Sequence, residues 1–292
     1  MRDTPSRQIA PIYHRRIGDI VVTAVSDGIL ERTHEMMLNV PEDEAKRHLA
    51  AAARTSFVLS INAFLIHSGD RLALVETGSG NYLGSSAGHL LANLEAASVR
   101  PDEIDTILLT HMHPDHSAGL TDMATGKANY AKAELVVHEN EPKHWFDDAA
   151  MARGSEREKR LMFQQAREQT APYRDRMRTF AGGEVFPGVT ALPIPGHTPG
   201  HTGYLIESGG QRVFIWGDVV HMPEVQVPRP EVSMVVDTDP AMAADTRRRV
   251  FDMVASEGLL VTGMHLHFPG FARVLRDGSG YRLVPEAWQQ SI

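Results

Sequence analysis

Cysteine is absent from the 292-residue chain, and its absence narrows the chemistry that the sequence can support. There can be no disulfide, no thiolate nucleophile and no sulfur ligand for a metal. The chain also lacks an excess of positive charge, because its formal net charge is −8 with histidine neutral. No bulk basic field attracts nucleic acid, so we expect no nucleic-acid partner.

Long apolar runs are also missing. No stretch approaches the roughly 20 apolar residues of a membrane span, and residues 1–5 lack the apolar character of a signal peptide. We therefore expect no membrane partner, and together with the lack of cysteine this pattern predicts a cytoplasmic protein. The length allows one large domain or two modest ones.

One stretch concentrates the candidate chemistry. Residues 110–116, with the sequence THMHPDH, contain three histidines and one aspartate within six positions. The apolar run Ile104–Leu109 before it predicts a short buried strand, and the small residues after it suit a tight turn into a helix. Chance clustering is the alternative, because the chain has 15 histidines and short motif matches carry false positives.

The spacing within this stretch predicts two facing sets of ligands. In an extended run, His111 and His113 point to the same side. Pro114 then ends ladder pairing and turns the chain, so Asp115 and His116 project in a different direction. Imidazole and carboxylate suit zinc and other borderline first-row metals.

Three later segments repeat the pattern in which a ligand-type residue follows an apolar strand. They are residues 195–201 (PGHTPGH), residues 217–218 (GD) and residues 263–265 (GMH). Strand-terminal loops are where open β architectures place their functional sites. The sequence therefore predicts that remote segments deliver metal-type ligands to one place.

Local signals predict a hairpin and a helix. The apolar runs Phe57–Ile66 and Arg71–Glu76, separated by residues 67–70, are typical of a hairpin. Asp239–Ser256 is predicted to be a helix with Pro240 at its start.

Two further segments lead to structural predictions. Ser26–Gly28 is typical of a turn, which would end a strand over Ile17–Val25. Arg157–Arg178 is strongly charged, with apolar residues at the spacing of an amphipathic helix. That helix is either a plain surface helix or a lid over the site.

The four motifs in this order resemble those of the metallo-β-lactamase superfamily, and the resemblance extends from about Ser60 to Phe271. It implies an α+β fold, the four-layer αββα sandwich, with two β-sheets inside and helices outside. It also implies a single domain over residues 1–292. A helical insertion at about 140–180 would lie near the active site.

The resemblance also implies roles for the ligand-type residues. Each of two divalent metal ions would be held by one set of three: His111, His113 and His197, and then Asp115, His116 and His265. Asp218 would bridge both metals together with a hydroxide. Zinc is the favoured metal, with manganese, iron and cobalt as alternatives. His267 is the alternative to His265, which is preferred because it follows its strand directly, and His201 is expected to orient its loop rather than bind metal.

Several branches of the superfamily differ from this sequence. Its β-lactamases often use a cysteine at the second metal, glyoxalase-type members add a C-terminal domain, ribonuclease-type members need a basic surface, and flavodiiron-type members carry a flavin domain. The chain is similar instead to the lactonase group and to methyl-parathion-hydrolase-like enzymes. Residues 216–221 (WGDVVH) and 264–270 (MHLHFPG) carry this similarity.

The implied function is hydrolysis of lactones or carboxylic esters, with the bridging hydroxide as the nucleophile and a small, apolar molecule as the substrate. The expected catalytic residues are Asp115, Asp218 and His221. The residues expected to line an apolar substrate pocket are Trp145, Leu83, Met162 and Phe163. Ordinary core packing is the alternative for Met162 and Phe163.

Other functions stay open at this point. His221 stands where acyl-homoserine-lactone hydrolases commonly have a tyrosine, which argues against that narrow assignment. Organophosphate triester hydrolysis is the runner-up, and a mononuclear iron dioxygenase acting on sulfur or persulfide substrates is a third reading. A non-enzymatic binding module would show a broken motif, and none is broken. A homodimer also stays open.

Overall fold

Two seven-stranded sheets lie at the centre of the structure, a computed structural model that describes residues 8–292. The strands are β1 (Ile12–Ile17), β2 (Ile20–Arg32), β3 (Met37–Leu38), β4 (Phe57–Ser68), β5 (Arg71–Val75), β6 (Thr106–Leu108), β7 (Thr121–Asp122), β8 (Lys127–Ala128), β9 (Glu134–His138), β10 (Met177–Phe180), β11 (Gly183–Phe186), β12 (Val189–Pro193), β13 (Thr202–Ser208), β14 (Gln211–Ile215), β15 (Ser233–Met234), β16 (Leu260–Thr262), β17 (Ala272–Asp277) and β18 (Gly280–Pro285).

The α-helices are mostly short. They are α1 (Glu42–Ala51), α2 (Leu90–Ala96), α3 (Pro114–Ser117), α4 (Asn140–Trp145), α5 (Asp148–Arg153), α6 (Glu156–Glu158), α7 (Gln165–Thr170), α8 (Pro223–Gln226) and α9 (Pro240–Glu257). A π-helical segment, Lys159–Gln164, joins α6 to α7. In residues 8–292, no helix has both the length and the apolar character needed to cross a membrane.

The two sheets use successive halves of the chain. The first has the order β1-β2-β4-β5-β6-β9-β10, antiparallel as far as β5 and parallel from β5 to β10. The second has the order β11-β12-β13-β14-β16-β17-β18, in which β14 and β16 are parallel and the other neighbours are antiparallel. Parallel neighbours require crossover connections, and these connections carry the loops described below.

The main hydrophobic core lies between the two sheets. It joins side chains of the first sheet, such as Phe64, to side chains of the second, such as Tyr204. On the outer faces, Leu94 of α2 packs in a cluster with the first sheet, and Phe251 of α9 packs with the second. Burying each such side chain contributes about 1.5–3 kcal/mol. The order helix, sheet, sheet, helix confirms the predicted αββα sandwich.

Helix α9 shows how local sequence sets these elements. The Asp239 side chain accepts a hydrogen bond from the Met242 backbone N–H, and Pro240 occupies the first helical position. The helix ends at Gly258, whose φ of 59° is in the left-handed region. These start and stop signals place the helix within one residue of the predicted bounds, Asp239–Ser256.

The turn predicted at Ser26–Gly28 is wrong, because these residues lie inside β2 at a β-bulge. The Asp27 side chain is buried and accepts hydrogen bonds from the backbone N–H groups of Ser79, Gly88 and Leu90. The local sequence of Ser26–Gly28 is the same whether it forms a turn or, as here, places within a strand a carboxylate that anchors two loops. The bulge provides the extra residue that aims Asp27 at those loops.

The helix predicted over Arg157–Arg178 is too long. The helical backbone from α6 through the π segment ends with α7, a 3₁₀ segment follows over Ala171–Arg176, and Met177–Phe180 forms β10. Strand β10 pairs in parallel with β9, so a distant partner overrides the local pattern. Helices α4 to α7 all lie between β9 and β10, where the helical insertion was expected.

Candidate metal centre

The ligand-type side chains converge from loops that follow strands of both sheets. Residues 111–116 follow β6, His197 lies between β12 and β13, Asp218 follows β14, and His265 follows β16. The backbone N–H of Thr202 donates to the Thr110 carbonyl at 3.0 Å, which ties the two sheets together beside the site. The tertiary fold therefore brings together all seven residues that the resemblance implied.

Asp218 is the centre of this cluster. Its Oδ2 atom lies within 3.7 Å of the Nε2 atoms of five buried histidines: His221 at 3.0 Å, His265 at 3.1 Å, His116 at 3.2 Å, His197 at 3.3 Å and His111 at 3.7 Å. A single carboxylate surrounded by five imidazoles can contact two metal ions at once.

The first set of three has its donor atoms close together. His113 Nδ1 is 3.0 Å from His197 Nε2, which is 3.1 Å from His111 Nε2, and the three residues are grouped as a set that could hold a metal ion. Ligands of a tetrahedral zinc ion, each about 2.0–2.1 Å from the metal, lie about 3.3 Å from one another. The two measured spacings are within about 0.3 Å of that separation, so the three nitrogens could share one metal ion.

The second set is looser and contains a carboxylate. Asp115 Oδ1 is 3.6 Å from His116 Nε2, and Asp115 Oδ2 is 3.5 Å from His265 Nε2. These three residues also form a group that could hold a metal ion. Asp115 is half-buried, whereas the two histidines are fully buried, so this half of the cluster faces the open side of the site.

Several buried polar atoms of the cluster have no hydrogen-bond partner among residues 8–292. They include Asp218 Oδ1, both ring nitrogens of His116 and His221 Nδ1. An unsatisfied buried polar group costs about 1–3 kcal/mol, so several in one place require an explanation. Coordination of divalent metal by nitrogen and oxygen atoms supplies one, and the residues present therefore fit a metal site.

The far sides of the ligand rings are held in place. Three histidines each contact a partner through Nδ1: His197 to Asp237 Oδ1 at 2.7 Å, His265 to the Ser60 carbonyl at 2.8 Å, and His111 to Thr110 Oγ1 at 2.9 Å. Such contacts fix the tautomer and the ring orientation of a metal ligand. The Nε2 atoms are thereby left to face the cluster.

Glu141, on α4, is a positioning residue that the sequence did not indicate. Its Oε2 accepts from the Met112 backbone N–H at 2.9 Å and from Trp145 Nε1 at 2.7 Å. Its Oε1 accepts from the Gly200 backbone N–H at 2.9 Å and from the Thr198 hydroxyl. The buried carboxylate thus ties the 111–113 loop to the 197–201 loop, although no local motif marks it.

His201 and His267 lie outside both sets of three. His201 Nδ1 donates to the Ile194 carbonyl, and its Nε2 accepts from the backbone N–H of Asp218. Burial lowers the pKa of His201 to about 3, so the ring is neutral and orients the loop that carries Asp218. His267 instead pairs with Glu224 at 2.6 Å, away from the cluster.

Electrostatics keep the central carboxylate ionised. Burial opposes charge on Asp218, but the nearby His116 and His265 hold its pKa well below the usual range. Burial also opposes charge on His197, yet hydrogen bonds to Asp218 and Asp237 raise its pKa to about 9. Burial lowers the pKa of His221 to about 4. An ionised carboxylate surrounded by imidazoles that can be neutral or protonated suits a divalent cation.

Two adjoining cavities, of about 320 and 420 Å³, lie beside the cluster and share His113, Arg157 and Met162 in their walls. The smaller one is lined by Leu83 and by the cluster residues Asp115, Asp218 and His221. The larger one is lined by Trp145 and Phe163, whose rings lie 4.9 Å apart. All four residues predicted for the pocket therefore lie on these cavities.

Comparison with known proteins agrees with this architecture. The family model described as the metallo-beta-lactamase superfamily matches residues 57–265. The crystal structure of hydrolase AbOPH, in the beta lactamase superfamily, is 31% identical, with a TM-score of 0.92 over 97% of this chain and 100% of that chain. The dizinc quorum-quenching lactonase AidC, in complex with a product, is 22% identical, with a TM-score of 0.89 over 96% of this chain and 99% of its own.

A curated sequence relative is more distant. The N-acyl homoserine lactonase AiiB of Agrobacterium fabrum is 28% identical over 101 residues, which covers 28% of this chain. The chain spans 63% and 34% of the lengths of two curated relatives that it matches. The family match and the 31% identical hydrolase nevertheless extend over most of the chain. The chain therefore belongs to the metallo-beta-lactamase superfamily.

Proposed function

We propose that the protein is a dinuclear metal-dependent hydrolase of lactones or carboxylic esters, with zinc as the favoured metal. The observation that carries this proposal is the position of Asp218 Oδ2 between two sets of ligands. His111, His113 and His197 would hold one ion, and Asp115, His116 and His265 would hold the other. Asp218 would bridge the two ions.

The chemistry supplied by a bound metal pair is activation of water and polarisation of the scissile carbonyl. The residues of the chain would hold the metal ions, orient the substrate and exclude water. Asp115, which is half-buried at the cavity wall, would accept a proton and pass it to the leaving group. His221, which is neutral and lines the same cavity, is placed to orient the substrate. Trp145 and Phe163 would exclude water from the apolar part of the substrate.

The choice of lactones or esters rests on the lactonase names of AidC and AiiB and on the mixed lining of the cavities. Leu83, Met162 and Phe163 provide apolar surface for an acyl group or leaving group. A two-metal centre also suits phosphotriesters, so these compounds are the principal competitors.

The test is a substrate screen on protein reconstituted with zinc, manganese or cobalt. Lactones, aryl esters, phosphotriesters and β-lactams are compared at matched concentrations, and kcat/KM is measured for each. We expect a lactone or an aryl ester to give the highest value. A phosphotriester at least tenfold better than every lactone and ester would overturn the proposed bond type. The matched control is the Asp218→Asn variant, which identifies any contaminating activity.

A further inference from the structure

Two guanidinium groups lie on the wall of the smaller cavity, where the sequence predicted apolar residues. Arg32 is the last residue of β2, and Arg157 lies in α6. Both line the same cavity as Asp115, Asp218 and His221. We propose that Arg32 and Arg157 bind a carboxylate carried by the acyl part of the substrate, away from the scissile bond. The proposal rests on the proposed ester or lactone hydrolysis.

The guanidinium of Arg32 lies in surroundings where a bound anion would stabilise it. Its side chain is half-buried, and its hydrogen bond goes to the carbonyl of the adjacent Glu31. Burial lowers the pKa of Arg32, and Arg157 lowers it further, whereas Asp115 raises it. In residues 8–292, neither guanidinium has a carboxylate oxygen within 4.0 Å. A partly desolvated guanidinium near a second guanidinium is unfavourable in free energy. An anion that binds to both would stabilise them.

The carboxylates around the two cavities are already engaged. Asp115 and Asp218 face the histidine cluster. Glu158 accepts from the backbone N–H and the hydroxyl of Ser155. Asp237 accepts from His197. The same two cavities contain three arginines, Arg32, Arg153 and Arg157, although the whole chain is at −8.

A carboxylate is the anion that this geometry favours. Guanidinium presents paired N–H donors that match the two oxygens of a carboxylate. The apolar side chains of Leu83, Leu161 and Met162 line the same cavity as the arginines and the cluster residues, and they suit a short methylene chain. A substrate with an ester at one end and a carboxylate at the other would contact the cluster with its ester and the arginines with its carboxylate.

The experiment compares two series of 4-nitrophenyl esters of equal chain length. One series is the monoesters of succinate, glutarate and adipate, and the other is the uncharged esters of the corresponding monocarboxylic acids. The wild type, Arg32→Gln, Arg157→Gln and the double variant are assayed with metal bound. Arg160→Gln is the matched control, because Arg160 is exposed on the same helical run but lines a different cavity.

We expect at least one charged ester to exceed its uncharged partner by about tenfold to a hundredfold in kcat/KM, the effect of one or two charge-assisted hydrogen bonds. Each single variant should reduce this ratio, the double variant should abolish it, and Arg160→Gln should preserve it. Because each ratio is taken within one protein, a loss of activity common to both series of esters does not affect it. A wild-type ratio near one at all three lengths, or a ratio that survives in the double variant, would overturn the proposal.

A binding measurement separates this proposal from the hydrolase function. Calorimetry of the metal-loaded protein compares glutarate with pentanoate, which have the same number of carbons but two carboxylates and one. We expect glutarate to bind about tenfold more tightly to the wild type, with this preference reduced in each single variant and lost in the double variant. If no ester or lactone is hydrolysed, the proposed function fails and this preference alone decides the carboxylate site. Equal binding of the two acids would overturn it.

Discussion

The metal cluster and the cavities beside it are built in opposite ways. The cluster residues follow strands of two packed sheets, and most of them are fully buried. Half of the residues that line the larger cavity lie between Ala150 and Phe163, and they include the exposed Arg153 and Arg157. Under the proposed function, the scaffold would fix the chemistry and a separate surface segment would set the choice of substrate.

The π-helical segment is an example of how the cavity walls are built. Ser155 and Glu158 form a reciprocal capping box that starts the helical run. The run then widens over Lys159–Gln164, which buries Phe163 and leaves Met162 half-buried at the cavity. Single π turns inside helices occur frequently at functional sites. The segment can thus vary its contacts with substrate without moving a candidate metal ligand.

The largest expected effect comes from the centre of the cluster. Asp218→Asn removes the negative charge that two cations would share, so we expect turnover of the best ester or lactone to fall about a thousandfold or more. His221→Ala should lose only about tenfold to a hundredfold, because it would orient groups rather than bridge metals. Steady-state kinetics on folded, metal-analysed proteins check both. An Asp218→Asn variant with both metals and near-normal turnover would remove the bridging role.

Glu141→Gln tests how rigidly the scaffold holds the ligand loops. The Gln side chain has one acceptor oxygen and an NH₂ group, so it cannot serve the four donors that Glu141 now accepts from. We expect the free energy of unfolding to fall by about 3 kcal/mol, with turnover reduced more than tenfold. Urea unfolding measures the stability.

The matched control for Glu141→Gln is Glu139→Gln, which lies two residues earlier. Glu139 forms a surface ion pair with Lys143, and such pairs contribute about 0–1 kcal/mol. Equal stabilities for the two variants would show that the buried carboxylate does not organise the loops.

Trp145 connects the two regions, because it lines the larger cavity and donates to Glu141. Trp145→Ala removes apolar surface and should raise KM about tenfold, which corresponds to about 1.4 kcal/mol of binding. Trp145→Phe keeps an aromatic ring but loses the N–H, so its KM should rise less. Michaelis–Menten analysis with apolar esters separates the two effects. Unchanged kinetics in Trp145→Ala would exclude this residue from the site.

The smallest expected effect lies outside both regions, at Glu224, which pairs with Arg54 and His267 at 2.6 Å each. Burial raises the pKa of Glu224, but these partners lower it overall. A carboxyl whose folded-state pKa is depressed contributes stability above its unfolded pKa of about 4.3, and loses that contribution as the pH falls through the folded-state value.

We therefore expect Glu224→Gln to reduce stability by about 1–2 kcal/mol at neutral pH, with the difference shrinking as the pH falls from about 5 to about 3. Urea unfolding across this range measures the difference. Turnover at neutral pH should change little, because Glu224 does not line either cavity beside the cluster. A stability difference that is independent of pH would show that the carboxylate charge is not responsible.

The ligand residues were predictable because each follows an apolar strand within a short motif. The hairpin of β4 and β5 and the helix α9 were equally visible, since their turn and capping residues are local. The bulge around Asp27, the strand β10 and the role of Glu141 were not visible. Each depends on a partner distant in sequence, such as Leu90 for Asp27 or Gly200 for Glu141. The sequence did not indicate the cationic cavity wall for the same reason, because Arg32 and Arg157 line one cavity only in the folded chain.

The most direct test of the central claim is the metal content of the purified protein after reconstitution and removal of loosely bound ions. Elemental analysis should give about two metals per chain, because two sets of ligands share Asp218. Asp218→Asn should retain clearly fewer. At most one tightly bound metal in the wild type, even after reconstitution, would contradict the dinuclear centre.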